Sequence, residues 1–152
     1  MMTKHFLNLF QYNDWANHRM LVTLEQNDLK NTKIQLLFSH VLSSQIVWLN
    51  RIKALPTSPF PLWEFYKLRE LRSMTEESTF NWINFINDLK PDSYLRRISY
   101  QNSQQQQFET SLREIMTQVI NHSSYHRGQI ALLLREEGID PPGTDFIVYT
   151  RI

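Results

Sequence analysis

His122 and His126 lie four residues apart in the segment Asn121-His122-Ser123-Ser124-Tyr125-His126-Arg127-Gly128-Gln129, which reads as helix. That spacing stacks the two imidazoles on one side, about a turn apart, where both can reach one metal ion. An ordinary reading competes: histidine pairs at this interval arise by chance, and a histidine at a helix edge is often a hydrogen-bonded surface group. The surrounding periodicity favours burial. His126 falls within the apolar stripe of Leu112, Ile115, Val119, Ile130 and Leu133, and His122 lies at its edge. Two neutral imidazoles in a core need partners for both ring nitrogens, and a shared metal supplies one.

The zinc-peptidase pattern uses the same spacing but requires a glutamate directly after the first histidine as general base. Ser123 stands there, so that chemistry fails on residue type. His40 is the candidate third ligand, on the flank of an apolar stripe beside Leu37, Val41 and Ser44. Alone it reads as a boundary histidine; beside an interior His122 and His126 it completes a set of three nitrogens with an open position, a recurring catalytic geometry. Zinc or nickel suits such a set better than magnesium or calcium, which prefer oxygen. His18 reads as a boundary residue that could replace one of the three, and His5 is weaker still. Asn13, Asp14 and Asn17 interrupt the apolar face of a first helix. They could bond helix to helix, or Asn13 and Asn17 could orient an imidazole or position a substrate. Trp15, Trp48, Trp63 and Trp82 read as packing, and Arg127 and Gln129 as helix surface contacts.

Composition narrows the alternatives. The chain has 152 residues, enough for one domain, 1–152, with a full core. Its 41% apolar content argues against disorder. Lysine and arginine total 16 against 15 acidic residues, which gives no concentrated basic charge for nucleic acid or anionic lipid. With no cysteine, the protein offers neither a disulfide nor a thiolate, so any metal ligands are nitrogen or oxygen. Three glycines cannot build a phosphate-cradling loop. Met1 to Phe10 lacks the pattern of a signal peptide, and no apolar run approaches the roughly 20 residues of a membrane span. The expected compartment is the cytoplasm.

The elements that must position these residues are mostly helical. A first helix is expected from a Thr3 cap to about Gln26, carrying Phe6, Leu7, Phe10, Leu21 and Leu24 on one face. A second, capped by Asn31 or Thr32, reaches about Ala54. Three prolines make Pro56 to Trp63 a loop. A third helix is expected from near Tyr66 to Leu89, with a polar front half. Tyr94 to Thr110 reads as a hairpin turning at Gln101-Asn102-Ser103. A last helix runs from about Ser111 to Glu137 and stops at Gly138. Pro141-Pro142-Gly143 leads into an extended tail, Phe146 to Tyr149. The expected fold class is all-α, four helices around one core, with a small hairpin between helices three and four and at least one connection that crosses the bundle.

Several motifs together resemble the DinB family. They are Tyr12-Asn13-Asp14-Trp15-Ala16-Asn17, Leu37-Phe38-Ser39-His40-Val41-Leu42 with Trp48-Leu49-Asn50-Arg51-Ile52, and Asn121 to Ile130. Gly138, Pro141-Pro142 and Thr144-Asp145-Phe146 continue the match, which is weakest from about Thr57 to Phe80. The resemblance implies an up-down-down-up four-helix bundle, commonly homodimeric, and a zinc or nickel site at the positions of His40, His122 and His126. It also implies relatives that use a low-molecular-weight thiol. The expected function is a metal-dependent enzyme, a thiol-dependent transferase or a hydrolase, acting on a small molecule. The alternative is a non-catalytic metal-binding protein of the stress response.

Overall fold

The computed structural model describes residues 1–57 and 61–152. Its elements are α1 (Met2–Glu25), α2 (Thr32–Ile52), α3 (Leu68–Asn87), a single 3-10 turn (Ser93–Leu95), β1 (Arg97–Gln101), β2 (Gln107–Ser111), α4 (Leu112–Glu136) and α5 (Phe146–Tyr149). The expected all-α bundle with its small hairpin is the observed one.

Cross-helix contacts fix the helix directions. Arg72 meets Glu25, Thr79 donates to Asp14 and Trp82 packs on Phe10, so residue numbers rise along α1 as they fall along α3. His40 faces His122 and His126 while Asn31 meets Glu137, so α2 and α4 are also antiparallel. Ser78 donates to Gln45 and Gln35 to Tyr66 O, so α2 and α3 run parallel. Since α1 runs against α3, α3 along α2 and α2 against α4, α1 and α4 are parallel, and Arg127 links them through Asn13 and Asn17. The order is therefore up-down-down-up. Because α2 and α3 point the same way, the segment between them must return along the bundle, a distance of about 30 Å. The expected loop from Pro56 to Trp63 is the middle of that crossover; its residues 58–60 lie outside those described.

Local signals set the helix ends. Asn31 Oδ1 accepts from Lys33 N at 3.0 Å, capping α2. Glu114 accepts from the Ser111 amide at 3.0 Å and from its hydroxyl, which starts α4. Gly138, with φ +76, closes α4: its amide bonds Arg135 O and that of Ile139 bonds Leu134 O, each at 2.9 Å. β1 and β2 pair antiparallel from Arg97↔Ser111 to Gln101↔Gln107. Their turn is longer than the expected Gln101-Asn102-Ser103: Asn102 Oδ1 gathers the amides of Gln104 and Gln106, and Gln105 takes φ 62.

Two expectations need correction. Thr3 does not cap α1, which begins at Met2; its hydroxyl accepts instead from Tyr94 OH at 2.8 Å. Phe146–Tyr149 is a helical turn rather than an extended tail. A spacing of three brings Phe146 and Tyr149 together against α1, with ring centroids 5.1 Å and 5.8 Å from that of Tyr12.

The core is in two parts. Phe6, Phe10, Ala16, Trp82, Ile86, Leu112 and Met116 belong to one apolar cluster, and Met20, Leu24, Ile34, Phe38, Leu71, Ile130 and Leu134 to the other. Between them lies a buried polar layer with members from every long helix: Asn13 and Asn17, His40 and Gln45, Thr75 and Ser78, Ser123, His126 and Arg127. Most of its polar atoms are paired, as burial demands. Thr75 and Ser123 bond back to the carbonyls of Leu71 and Val119 at 2.8 Å, and Ser78 donates to Gln45 at 3.3 Å.

Candidate metal centre

The polar layer opens toward solvent where α2 meets α4. There the structure brings together the three expected histidines. His40 and His126 are 6% and 9% exposed, and His122 is half-buried. Nε2 of His122 lies 3.1 Å from Nε2 of His40 and 3.1 Å from Nε2 of His126. One ring nitrogen from each falls within 4.8 Å of the others, a group that could hold a metal ion.

The far side of two rings fixes what faces the centre. His40 Nδ1 lies 2.8 Å from Leu62 O, and His126 Nδ1 lies 2.7 Å from Gln129 Oε1. Both partners are acceptors, so each Nδ1 carries the proton. The neutral rings then turn bare Nε2 lone pairs toward His122. His122 has at most one proton at Nε2 and can satisfy only one of them at a time. Burial, with the two neighbouring imidazoles adding to it, lowers the pKa of His122 from about 6.5 to about 4. Burial likewise lowers that of His40, opposed by its bond to Leu62 and reinforced by His126. His40 and His122 are thus held neutral, and the cluster is crowded with lone pairs. A cation resolves that crowding: nitrogens about 2.0–2.1 Å from a tetrahedral ion stand about 3.3 Å apart, close to the 3.1 Å of the two pairs that His122 makes. The donor set therefore fits a divalent ion.

A family model described as "DinB family" matches residues 1–152. The chain belongs to the DinB family. It is also 26% identical over 165 residues to Protein DinB of Bacillus subtilis (strain 168), covering 97% of this chain and 95% of that protein.

In this DinB-family chain the crossover between α2 and α3 helps to build the site. Leu62 supplies the carbonyl under His40, and the Trp63 indole stacks on the His40 ring at 3.6 Å with 4° between planes. Trp63 itself is 56% exposed, so it roofs the histidine rather than filling the core. Neither residue carried a signal in the sequence beyond lying in a proline-bounded loop. Gln129 and Arg127, expected on the helix surface, do other work. Gln129 orients His126 from the next turn of α4. Arg127 is 1% exposed and donates to Asn13 Oδ1 at 2.7 Å, Asn17 Oδ1 at 2.8 Å, Ser124 Oγ at 3.0 Å and Tyr12 OH at 3.3 Å. Asn13 and Asn17 thus end on Arg127, tying α1 to α4 one residue from His126. Tyr12 OH passes the link to Thr144 O at 2.8 Å. Three polar residues in one apolar stripe of α1 were the signal that a buried polar partner existed.

The other candidates lie apart. His18 bonds Asp14 O and faces the Asp14 carboxylate, each at 3.0 Å, and His5 packs on Phe6; neither is among the converging nitrogens. Ser123 is buried with its hydroxyl turned to the helix backbone, so the position after His122 offers no general base. Among the described residues no helix is long and apolar enough to cross a membrane.

Proposed function

We propose that this chain is a metal-dependent enzyme of a single domain, 1–152, in which His40, His122 and His126 hold one divalent ion, zinc or nickel. The observation that carries the proposal is the convergence of three imidazoles, with His122 Nε2 3.1 Å from that of His40 and from that of His126, and with two outer nitrogens tied back to Leu62 and Gln129. The site is also accessible: a groove of about 440 Å³ runs from Trp63, His126 and Gln129 along the α2–α4 edge. A buried storage site would need no such approach. An ion with three histidine ligands and an open position would supply a Lewis acid and make a bound thiol or water acidic near neutral pH.

The chain's own part is to keep His40 and His122 neutral, fix the tautomers of His40 and His126, and shield the rings from bulk water. Thiol-dependent transfer is the favoured reaction, since the protein has no cysteine and its nucleophile must be brought in. Hydrolysis is the second variant. Homodimer formation remains part of the proposal on family resemblance, and Leu95, just before β1, and Phe108, on β2, are exposed apolar side chains available to it.

The test is the spectrum of cobalt-substituted protein with a small thiol. A sulfur-to-metal charge-transfer band that is absent from His126→Ala is expected. An unchanged spectrum at millimolar thiol, with cobalt still bound, removes the transferase reading.

A further inference from the structure

The groove beside the histidines has a polarity of its own. Its walls are Leu36 and Leu37 of α2 and Leu132 and Leu133 of α4. His126 marks one end and Lys33 the other. Lys33 precedes His40 by seven residues and Leu133 follows His126 by seven on the antiparallel helix, so the two ends stand about 10 Å apart along the axes. Among the described residues, Lys33 is the one charged residue that lines the groove. It has no ion pair among the described residues, and it sits in the first turn of α2, where the helix dipole is positive. The carboxylate of Glu137 at this end is already turned to the amides of Lys30 and Asn31.

The geometry points to a medium-chain organic anion as the occupant. Its acidic group pairs with Lys33, its apolar body of about 10 Å lies on the four leucines, and its far end is presented to the histidines. This assignment deepens the metal-enzyme reading and rests on it for the reacting end, but the binding itself needs only the groove. The volume of about 440 Å³ suits one small molecule rather than a peptide helix. The charge pattern selects an anion over a neutral lipid, because the cation at the end of the apolar channel has no ion-pair partner among the described residues.

The experiment follows the Lys33 amide and the Trp63 indole N–H by NMR while metal-loaded full-length protein is titrated with octanesulfonate, butanesulfonate and octanol. Metal content is measured on the same samples. Sulfonate is used because it is a weak metal ligand and will not reverse its orientation onto the ion. Octanesulfonate should shift both signals. Butanesulfonate should bind at least tenfold more weakly for want of buried methylenes. Lys33→Glu, on an exposed position that the fold does not need, should weaken octanesulfonate about three- to tenfold and leave octanol unchanged. Equal affinity for octanesulfonate and octanol, or indifference to Lys33→Glu, overturns the anionic end. No shift from any probe in fully metal-loaded protein overturns the groove and leaves the metal reading standing. Protein that takes up no metal yet binds octanesulfonate with the Lys33 dependence upholds the groove while removing the metal reading.

Discussion

Arg127→Met tests the polar layer that divides the core. Arg127 is a buried guanidinium with no carboxylate partner, and burial pushes its pKa below the ordinary value. Removing it strips the donor from two amide oxygens, on Asn13 and Asn17, each of which belongs to a residue 2% exposed. Each orphaned acceptor costs about 1–3 kcal/mol, so the pair costs about 2–6 kcal/mol. The relief of about 1–4 kcal/mol from no longer burying the charged group appears only when its partners are replaced by apolar groups as well. The net expectation is a loss of about 3 kcal/mol. With an m-value of about 1–3 kcal/mol per molar urea, the unfolding midpoint should fall by about 1–3 M. The triple variant Arg127→Met, Asn13→Leu, Asn17→Leu leaves no orphan and should recover at least half of the loss. Folded Arg127→Met should still take up metal, since its guanidinium bonds none of the three histidines. A single variant within about 1 kcal/mol of wild type, or a triple variant no better than the single, refutes the reasoning.

Two further outcomes follow from the histidine geometry. Between about pH 6.5 and about 4 the unfolded chain takes up a proton at His122 that the folded, metal-free chain refuses. Stability after chelation should therefore fall as the pH drops through that window, by up to about 1.4 kcal/mol per pH unit for this group, and fall less in His122→Asn. Urea titrations at several pH values measure it, and stability that is flat or rises toward low pH contradicts it. Gln129→Leu removes the acceptor that fixes the His126 tautomer and should weaken metal affinity about 10–100-fold in competition with a chelating dye, while the fold persists. Unchanged affinity would show that Gln129 does not orient the ring.

Much of this was legible in the sequence because the physics is local. The interval between His122 and His126 is set by helix geometry, and the stripe around His126 by periodicity. Asn31, Glu114 and Gly138 act on their own backbone neighbours. What was hidden depends on partners far along the chain. The front of α3 reads only as polar, yet Thr75 and Ser78 are buried because Leu71 O and Gln45 accept their hydroxyl protons. Arg127 reads as a surface cation until α1 brings Asn13 and Asn17 to it. Leu62 and Trp63 reach His40 only because the crossover returns along the bundle. The helical turn at Phe146–Tyr149 is decided by the Tyr12 and Trp15 rings it packs on, not by its own β-branched residues.

The central claim is the three-nitrogen centre, and metal stoichiometry tests it most directly. Purified protein, dialysed after exposure to zinc or nickel and assayed by elemental analysis, should hold one ion per chain. His40→Ala, His122→Ala and His126→Ala should each lose most of it while keeping their helical circular dichroism, and His18→Ala should keep it all. A full complement of tightly held metal in His40→Ala, or none in the wild type, would contradict the account.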